Sequence, residues 1–130
     1  MFKRWALALS VAVLSVGALA APHKATPPTI IATQNFLNQT ADLPPTTVFT
    51  PTVTGMYRIS LYFECQQNTS CGFGSKFVQL NYTDASGSTS LGGEFGSDLV
   101  IHPASGTPVQ VLTSGSIPTY NLYVVVEQLF

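Results

Sequence analysis

The chain has 130 residues, of which 45% are hydrophobic and 8% are charged, and its formal net charge at pH 7 is −1. Basic residues that are so few and so scattered cannot neutralise a run of phosphates, so the composition excludes a nucleic-acid-binding protein. No basic amphipathic stretch indicates binding to a membrane surface. The length suits a single domain with one modest hydrophobic core.

The amino terminus has the pattern of a secretory signal peptide. A basic head at residues 1–4 precedes an apolar run at residues 5–17, which is shorter than a membrane span. Small residues follow, and they predict cleavage before Ala21. We therefore expect residues 1–20 to be removed and the mature protein to be secreted or periplasmic, without a membrane anchor. An uncleaved amino-terminal anchor is the alternative.

A short tether is predicted to join the signal peptide to the domain. Residues 21–28 contain three prolines and no apolar periodicity, which is typical of an extended segment. The single domain then occupies residues 29–130. Its first predicted strand is Thr29–Thr33, because β-branched residues are concentrated there. Between Asn35 and Pro45 the sequence predicts irregular structure. Thr46–Thr50 is short and β-branched and predicts a second strand.

The clearest pattern in the chain begins after Gly55. Apolar residues recur at every second position, namely Tyr57, Ile59, Leu61, Phe63 and Cys65. Such a long alternation is hard to reconcile with a helix and predicts a strand with one buried face. Pro51 precedes this strand and restricts the chain there to an edge or a bend.

Two cysteines, Cys65 and Cys71, stand at the ends of a polar loop. We interpret this loop as a hairpin, which brings its flanking strands close together, and export exposes the cysteines to oxidising conditions. A Cys65–Cys71 disulfide that clamps the loop is therefore predicted. Free thiols, a redox pair and metal ligands are alternatives, but redox motifs and zinc knuckles space their cysteines more closely.

The remaining pattern also alternates. Lys76–Thr83 predicts a strand that ends in a turn, and the glycine-rich Ser88–Gly96 predicts a weak strand or an exposed loop. Three further strands are predicted at Asp98–His102, Pro108–Thr113 and Tyr120–Phe130. The last is the most apolar, which predicts a central strand covered on both faces or one whose outer face meets another subunit.

Seven or eight strands without any helical pattern after the signal peptide predict an all-β fold, an antiparallel two-sheet β-sandwich. Its topology is either immunoglobulin-like or a jelly roll. The immunoglobulin hallmark is a core tryptophan packed against a disulfide between the sheets. Here the sole tryptophan is Trp5, in the signal peptide, and the cysteines lie close together in sequence. The jelly roll is therefore preferred.

One strand and its lead-in resemble a known family. The resemblance rests on Phe49, Pro51, Gly55 and Tyr57, followed by alternating Ile59 and Leu61. This string resembles the strand motif of the complement globular-head and tumour-necrosis-factor-like jelly-roll superfamily, and similar strings occur in exported bacterial sandwich modules and phage-type structural proteins. The resemblance implies a compact trimer with aromatic faces packed around a threefold axis. The chain has no collagen-like stalk, so the ligand-capturing role of the animal members is not implied.

No catalytic constellation stands out. Asp98 and His102 share a strand face but would lie about 13 Å apart along it. No Gly-x-Ser-x-Gly turn supports a Ser–His–Asp hydrolase, and Glu64 with Glu94 as paired glycosidase carboxylates is close to a chance choice among the acids. A calcium site that includes Asp84 lacks a repeated acidic loop. We expect no enzymatic activity, no metal and no cofactor.

Exposed aromatic residues provide the binding candidates. Tyr62, Phe73, Phe77, Phe95 and Tyr123 are candidates for stacking against a ligand. Ordinary core packing is the alternative role for each of them. Asn-x-Ser/Thr triplets begin at Asn38, Asn68 and Asn81, and in a eukaryotic host we expect glycosylation at Asn38 and Asn68, whereas Asn81 lies within a predicted strand.

Three function classes follow from these features. The first, which we favour, is an exported, non-enzymatic structural module that self-associates, with a trimer implied by the resemblance. The second is a module that binds a carbohydrate, a small ligand or a protein through exposed aromatic residues. A hydrolase is the third and least favoured class. The mass of the native secreted protein and its binding to glycans separate the first two classes.

Overall fold

The structure, a computed structural model, describes residues 27–66, 76–93, 97–115 and 119–130. Within these ranges the chain forms eight β-strands and no helix, and so contains no helix that could cross a membrane. The strands are β1 (Thr29–Gln39), β2 (Thr46–Phe49), β3 (Tyr57–Cys65), β4 (Lys76–Asp84), β5 (Gly87–Gly93), β6 (Asp98–Ile101), β7 (Val109–Gly115) and β8 (Tyr120–Gln128).

The strands form two antiparallel four-stranded sheets. The first sheet has the order β1-β8-β3-β6, and the second has the order β2-β7-β4-β5. Strand β1 therefore pairs with β8, β2 with β7, β3 with β6, and β4 with β5. This is the pairing of one long hairpin folded over itself, the jelly-roll arrangement of two Greek keys. The predicted β-sandwich and the preference for a jelly roll are confirmed.

The inner faces of the two sheets form one hydrophobic core. Its buried apolar residues are Leu43, Val48, Phe49, Tyr57, Ile59, Leu61, Val78, Leu80, Ile101, Val109, Val111, Tyr120, Leu122, Val124 and Val126. The period-two pattern of β3 places Tyr57, Ile59 and Leu61 in this core, as predicted, and β8 contributes its own alternate residues. Since β8 lies between β1 and β3, its predicted central position is confirmed, whereas no described strand covers its outer face.

Gly55 occupies a crowded position at one end of the first sheet, where the chain enters β3 beside the end of β8. The Met56 amide donates a hydrogen bond to the Phe130 carbonyl oxygen at 3.1 Å, and the Leu129 amide donates to the Met56 carbonyl oxygen at 2.9 Å. A Cβ atom at Gly55 would lie 2.8 Å from the Phe130 oxygen. Only glycine lets the two backbones approach this closely. The glycine in the string Phe49, Pro51, Gly55, Tyr57 therefore has a packing explanation.

A buried polar network links the two sheets. The Thr113 hydroxyl on β7 lies 2.7 Å from the Tyr120 hydroxyl on β8 and accepts a hydrogen bond from the Leu43 amide at 2.8 Å. The Tyr120 hydroxyl in turn donates to the Ala41 carbonyl oxygen at 2.9 Å. Because buried polar groups are costly without partners, this network fixes the β1–β2 connection over the core.

Two expectations about the strands need correction, and a third, which was left open, is decided. Strand β1 continues to Gln39 instead of ending near Thr33, because its second half pairs with β8 despite polar residues that favour loops. The interpretation of the segment after Cys65 as a hairpin loop was wrong, since β3 and β4 belong to different sheets. The glycine-rich segment does form a strand, β5, which pairs with β4 along its whole length.

Candidate functional site: the outer face of the first sheet

Register aligns the outward side chains of the first sheet in rows. One row, from β1 to β6, contains Ile30, Glu127, Arg58 and Val100. The next contains Thr33, Val125, Ser60 and Asp98, and the third contains Asn35, Tyr123 and Tyr62. We call these residues, together with Leu37, Glu64 and Asn121, the first outer face. It is the surface that faces away from the core.

The first outer face combines exposed apolar and aromatic side chains with polar and charged ones. Ile30 and Tyr62 are each 61% exposed, and Leu37 and Val100 are each 49% exposed. Val125 lies half-buried between them. Every strand of the sheet therefore contributes an apolar or aromatic side chain. Surfaces of this kind mark interaction sites more often than surfaces with isolated apolar residues do.

One ion pair joins the two central strands, β3 and β8, in the first row of this face. The Arg58 Nη1 atom donates to Glu127 Oε2 at 3.2 Å, and the two side chains are 42% and 25% exposed. A solvent-exposed pair of this kind contributes only about 0–1 kcal/mol to stability. Its larger consequence is electrostatic, because the positive charge of Arg58 and the negative charge of Glu127 neutralise each other.

Two tyrosines, a carboxylate and an amide meet at the other end of the face. We call Tyr62, Glu64, Asn121 and Tyr123 the tyrosine cluster. The rings of Tyr62 and Tyr123 lie 5.8 Å apart at an angle of 40°. Glu64 Oε2 accepts hydrogen bonds from the Tyr123 hydroxyl at 3.2 Å and from Asn121 Nδ2 at 3.0 Å.

The cluster is fixed from below by Asn121, which is 4% exposed. Its Oδ1 atom accepts a hydrogen bond from the Asn38 amide at 2.8 Å, where a register shift interrupts the β1–β8 pairing. Partial burial, together with the hydrogen bond to Glu64, raises the pKa of Tyr123, so its hydroxyl stays protonated at neutral pH. An aromatic face beside a carboxylate and an amide can stack on a sugar ring and bind its hydroxyl groups.

The outward surface of the second sheet is different in chemistry. Asn81 Oδ1 accepts hydrogen bonds from Gln79 Nε2 at 3.1 Å and from the Ser90 hydroxyl at 2.6 Å, while Gln79 Nε2 also contacts the Ser90 hydroxyl. Gln110 lies opposite Asn81 on β7. Uncharged amides and hydroxyls therefore dominate this second outer face, and they line a shallow depression of about 360 Å³.

The structure unites two of the five predicted stacking residues. Tyr62 and Tyr123 are cross-strand neighbours on β3 and β8. Phe77 is 52% exposed but lies on β4, in the other sheet. Phe73 and Phe95 lie outside the described residues.

Sequence reasoning missed the role of Asn121 in the cluster. The period-two pattern of β8 already places Asn121 and Tyr123 on one face. Their link to Glu64, however, depends on the β3–β8 register, in which Glu64 lies opposite Asn121. A register is not visible in a single strand.

The predicted modification sites are described only in part. Cys65 is the last residue of β3 and is not a free cysteine. Its predicted partner Cys71 and the sequon residue Asn68 lie outside the described residues, as does the predicted signal peptide. The disulfide therefore stays a prediction, although β3 and β4 do not form the hairpin on which it was based. Asn38 is exposed and has a left-handed backbone with φ of 54°.

The described acidic residues that the sequence offered as catalytic or metal-binding candidates do not form a site. In the described ranges, no group of three or more histidine, cysteine or acidic side chains is placed to hold a metal ion. Asp84 instead stabilises the β4–β5 turn, where its Oδ1 accepts hydrogen bonds from the Ser86 amide and hydroxyl. Asp98 lies opposite Ser60. Glu94 is outside the described residues.

Comparisons with known proteins identify no family for the chain. No family model matches it, and no curated protein matches it. Among solved structures, it is similar to a pentameric capsid protein isolated from metagenomic phage sequences, with 14% identity and a TM-score of 0.41. The match covers 97% of this chain and 82% of that one. A similarity at this level does not extend to function.

Proposed function

We propose that the protein is an exported, non-enzymatic structural module that assembles with copies of itself through the first outer face. The observation that carries this proposal is the contrast between the two outer faces. Both cover the same core, yet β1, β3 and β6 each place exposed apolar or aromatic side chains on the first face, whereas the second has amides and hydroxyls with one exposed aromatic residue, Phe77. A polar surface like the second outer face is enough for solubility, so we infer that the first outer face binds a partner.

The charges of the face favour a second copy as the partner. Arg58 and Glu127 neutralise each other within one chain. The other two charges of the face lie at its margins, Asp98 on the edge strand β6 and Glu64 in the tyrosine cluster, where Tyr123 and Asn121 donate hydrogen bonds to it. Two identical apolar faces can meet without burying an unpaired central charge, which would be costly. A C2 interface uses the same patch on both subunits. The trimer implied by the family resemblance is a different symmetry, and the native mass distinguishes the two.

Sedimentation velocity over the micromolar range tests the proposal directly. The wild-type protein is expected to associate, and Tyr62→Ser is expected to weaken association because it removes an exposed aromatic side chain from the face. Phe77→Ser is the matched control, since Phe77 has a similar exposed fraction but lies on the second sheet. A wild-type protein that stays monomeric at every concentration contradicts the proposal. Equal weakening by both substitutions would also contradict it.

Carbohydrate binding is the second candidate function, and the tyrosine cluster favours it. The two rings and the Glu64 carboxylate lie within one exposed group of side chains. A glycan array would detect binding, and Tyr62→Ala should abolish it while Phe77→Ala leaves it unchanged. Binding that persists in Tyr62→Ala would exclude the cluster as the site.

Export, processing and oxidation belong to the same proposal. We expect the secreted protein to begin at Ala21 and to carry the Cys65–Cys71 disulfide. Mass spectrometry of the secreted protein, before and after reduction and alkylation, measures both properties. An intact residue 1–20 segment would refute cleavage, and alkylation without prior reduction would refute the disulfide.

A further inference from the structure

The four edge strands of the sandwich differ in how they are protected against pairing with another chain. Strand β2 has four residues and is followed closely by Pro51, and β6 has four residues with a charge at Asp98. Strand β5 is rich in glycine. Short strands, prolines and charges all discourage edge-to-edge pairing, and glycine weakens a strand.

Strand β1 has none of these protections. It is eleven residues long, and its sequence contains no charged residue, no proline and no glycine. Among the described strands it pairs only with β8, on one of its two sides. Its other side therefore carries a row of backbone donors and acceptors that no described strand satisfies. Such an edge is a template for another strand.

The strand is also held in place. The Gln34 side chain donates a hydrogen bond from Nε2 to the Val48 carbonyl oxygen at 3.0 Å, which fastens β1 over the edge of β2. Register shifts interrupt its pairing with β8 between Ile30 and Ala32 and between Phe36 and Gln39. The regular segment available for pairing is thus Ala32–Phe36. A template that is already ordered costs little entropy when a strand is added to it.

We propose that β1 pairs antiparallel with β1 of a second copy, so that two first sheets join into one eight-stranded sheet around a twofold axis. This inference rests on the proposed self-association and adds a second contact to it, at the edge of the first sheet. Edge pairing does not bury Tyr62, which lies two strands away on β3, so the two contacts respond to different substitutions. A twofold axis requires a self-complementary surface. The uncharged β1 meets this requirement, because two copies can approach without repulsion between like charges.

Pairing of β1 with another edge fits less well. The described β6 is too short to satisfy β1 along its regular segment, and its Asp98 would lie at the contact. Pairing between two β1 strands instead places two first outer faces side by side. Ile30 and Leu37 of each copy then border the new seam, and the exposed apolar surface becomes continuous across the dimer.

Asn35→Lys tests this contact. Asn35 is exposed on the outer side of β1, opposite Tyr123, so the substitution leaves the core intact. Two lysines close to the twofold axis should raise the dimer dissociation constant about tenfold, equivalent to about 1.4 kcal/mol. Ser88→Lys on β5 is the matched control, an exposed position on an edge strand of the second sheet, and should not change association. The neutral Asn35→Thr should associate like the wild type.

Hydrogen exchange on the wild-type protein supplies a second readout that does not depend on a variant. Among residues 32–36, the amides that point away from β8 should be protected at high concentration and lose protection on dilution, whereas those bonded to β8 should not change. Association of Asn35→Lys that equals that of the wild type overturns the edge contact while leaving self-association intact. A trimeric native mass also overturns it. A wild-type monomer overturns both the contact and the proposed function.

Discussion

The two outer faces of the sandwich are built on the same scaffold and have opposite chemistry. On the first, Tyr62 and Tyr123 form a cross-strand aromatic pair on a surface with further exposed apolar residues. On the second, Gln79, Asn81 and Ser90 form a network of uncharged hydrogen bonds. The inner faces are equally apolar, so folding alone does not account for the difference. This difference is the basis of the proposed self-association through the first face.

The largest expected effect comes from a cavity in the hydrophobic core, which both outer faces cover. Leu122→Ala on β8 leaves a cavity at a fully buried position and should lower the free energy of unfolding by about 2–5 kcal/mol. Val125→Ala, on the same strand but on the outer face, is the control and should cost much less. Urea denaturation measures both. Similar losses would mean that Val125 is also part of a packed core.

Alanine substitutions at Gly55 and Gly92 compare how much space the two sheets leave for a Cβ atom. Gly55→Ala places a Cβ atom 2.8 Å from the Phe130 carbonyl oxygen and should destabilise the protein by about 1–3 kcal/mol. Gly92→Ala on β5 meets no atom within 4 Å. Its effect should stay within about 0.5 kcal/mol. Thermal and urea denaturation check both values, and an unchanged stability of Gly55→Ala would refute the close approach.

The link between the sheets can be tested at Thr113. Thr113→Val keeps the shape of the side chain but leaves the buried Leu43 amide without its side-chain acceptor, which should cost about 1–3 kcal/mol. Thr107→Val is a control, because its hydroxyl bonds the Ala104 carbonyl oxygen in a turn outside the core. Equal losses in the two variants would argue against a special role for the buried network.

The smallest expected effect concerns pH and belongs to the second sheet. Hydrogen bonds from the Ser86 hydroxyl and amide lower the pKa of Asp84. A lowered folded-state pKa means that Asp84 contributes stability above the unfolded value of about 4 and loses it as the pH falls through the lower folded value. Asp84→Asn should therefore reduce the acid sensitivity of unfolding slightly. An identical pH profile in wild type and variant would contradict this.

Local patterns predicted some elements well because the burial of one face already fixes them. The alternation from Tyr57 to Cys65 corresponds to β3, and its buried positions are those that the pattern indicated. The second half of β1 was missed because residues such as Asn35 and Asn38 have no preference for strands. Pairing with β8 overrides that local tendency.

The candidate site could be predicted only as a set of residue types. Tyr62 and Tyr123 were identified as exposed aromatic residues, but the sequence did not indicate that they are neighbours or that Phe77 lies in the other sheet. The tyrosine cluster depends on the β3–β8 register, which joins residues more than fifty positions apart. Long-range pairing of this kind leaves no local signal.

The sequence by itself determined the all-β class and the buried face of β3, because period-two burial and turn residues act over short distances. Its preference for a jelly roll came instead from the missing core tryptophan and the close spacing of the cysteines. Tertiary structure decided which strands are neighbours. It separated β3 from β4, extended β1 along β8 and gave the two outer faces their different chemistry. These features depend on contacts between distant segments, and only the folded chain brings those segments together.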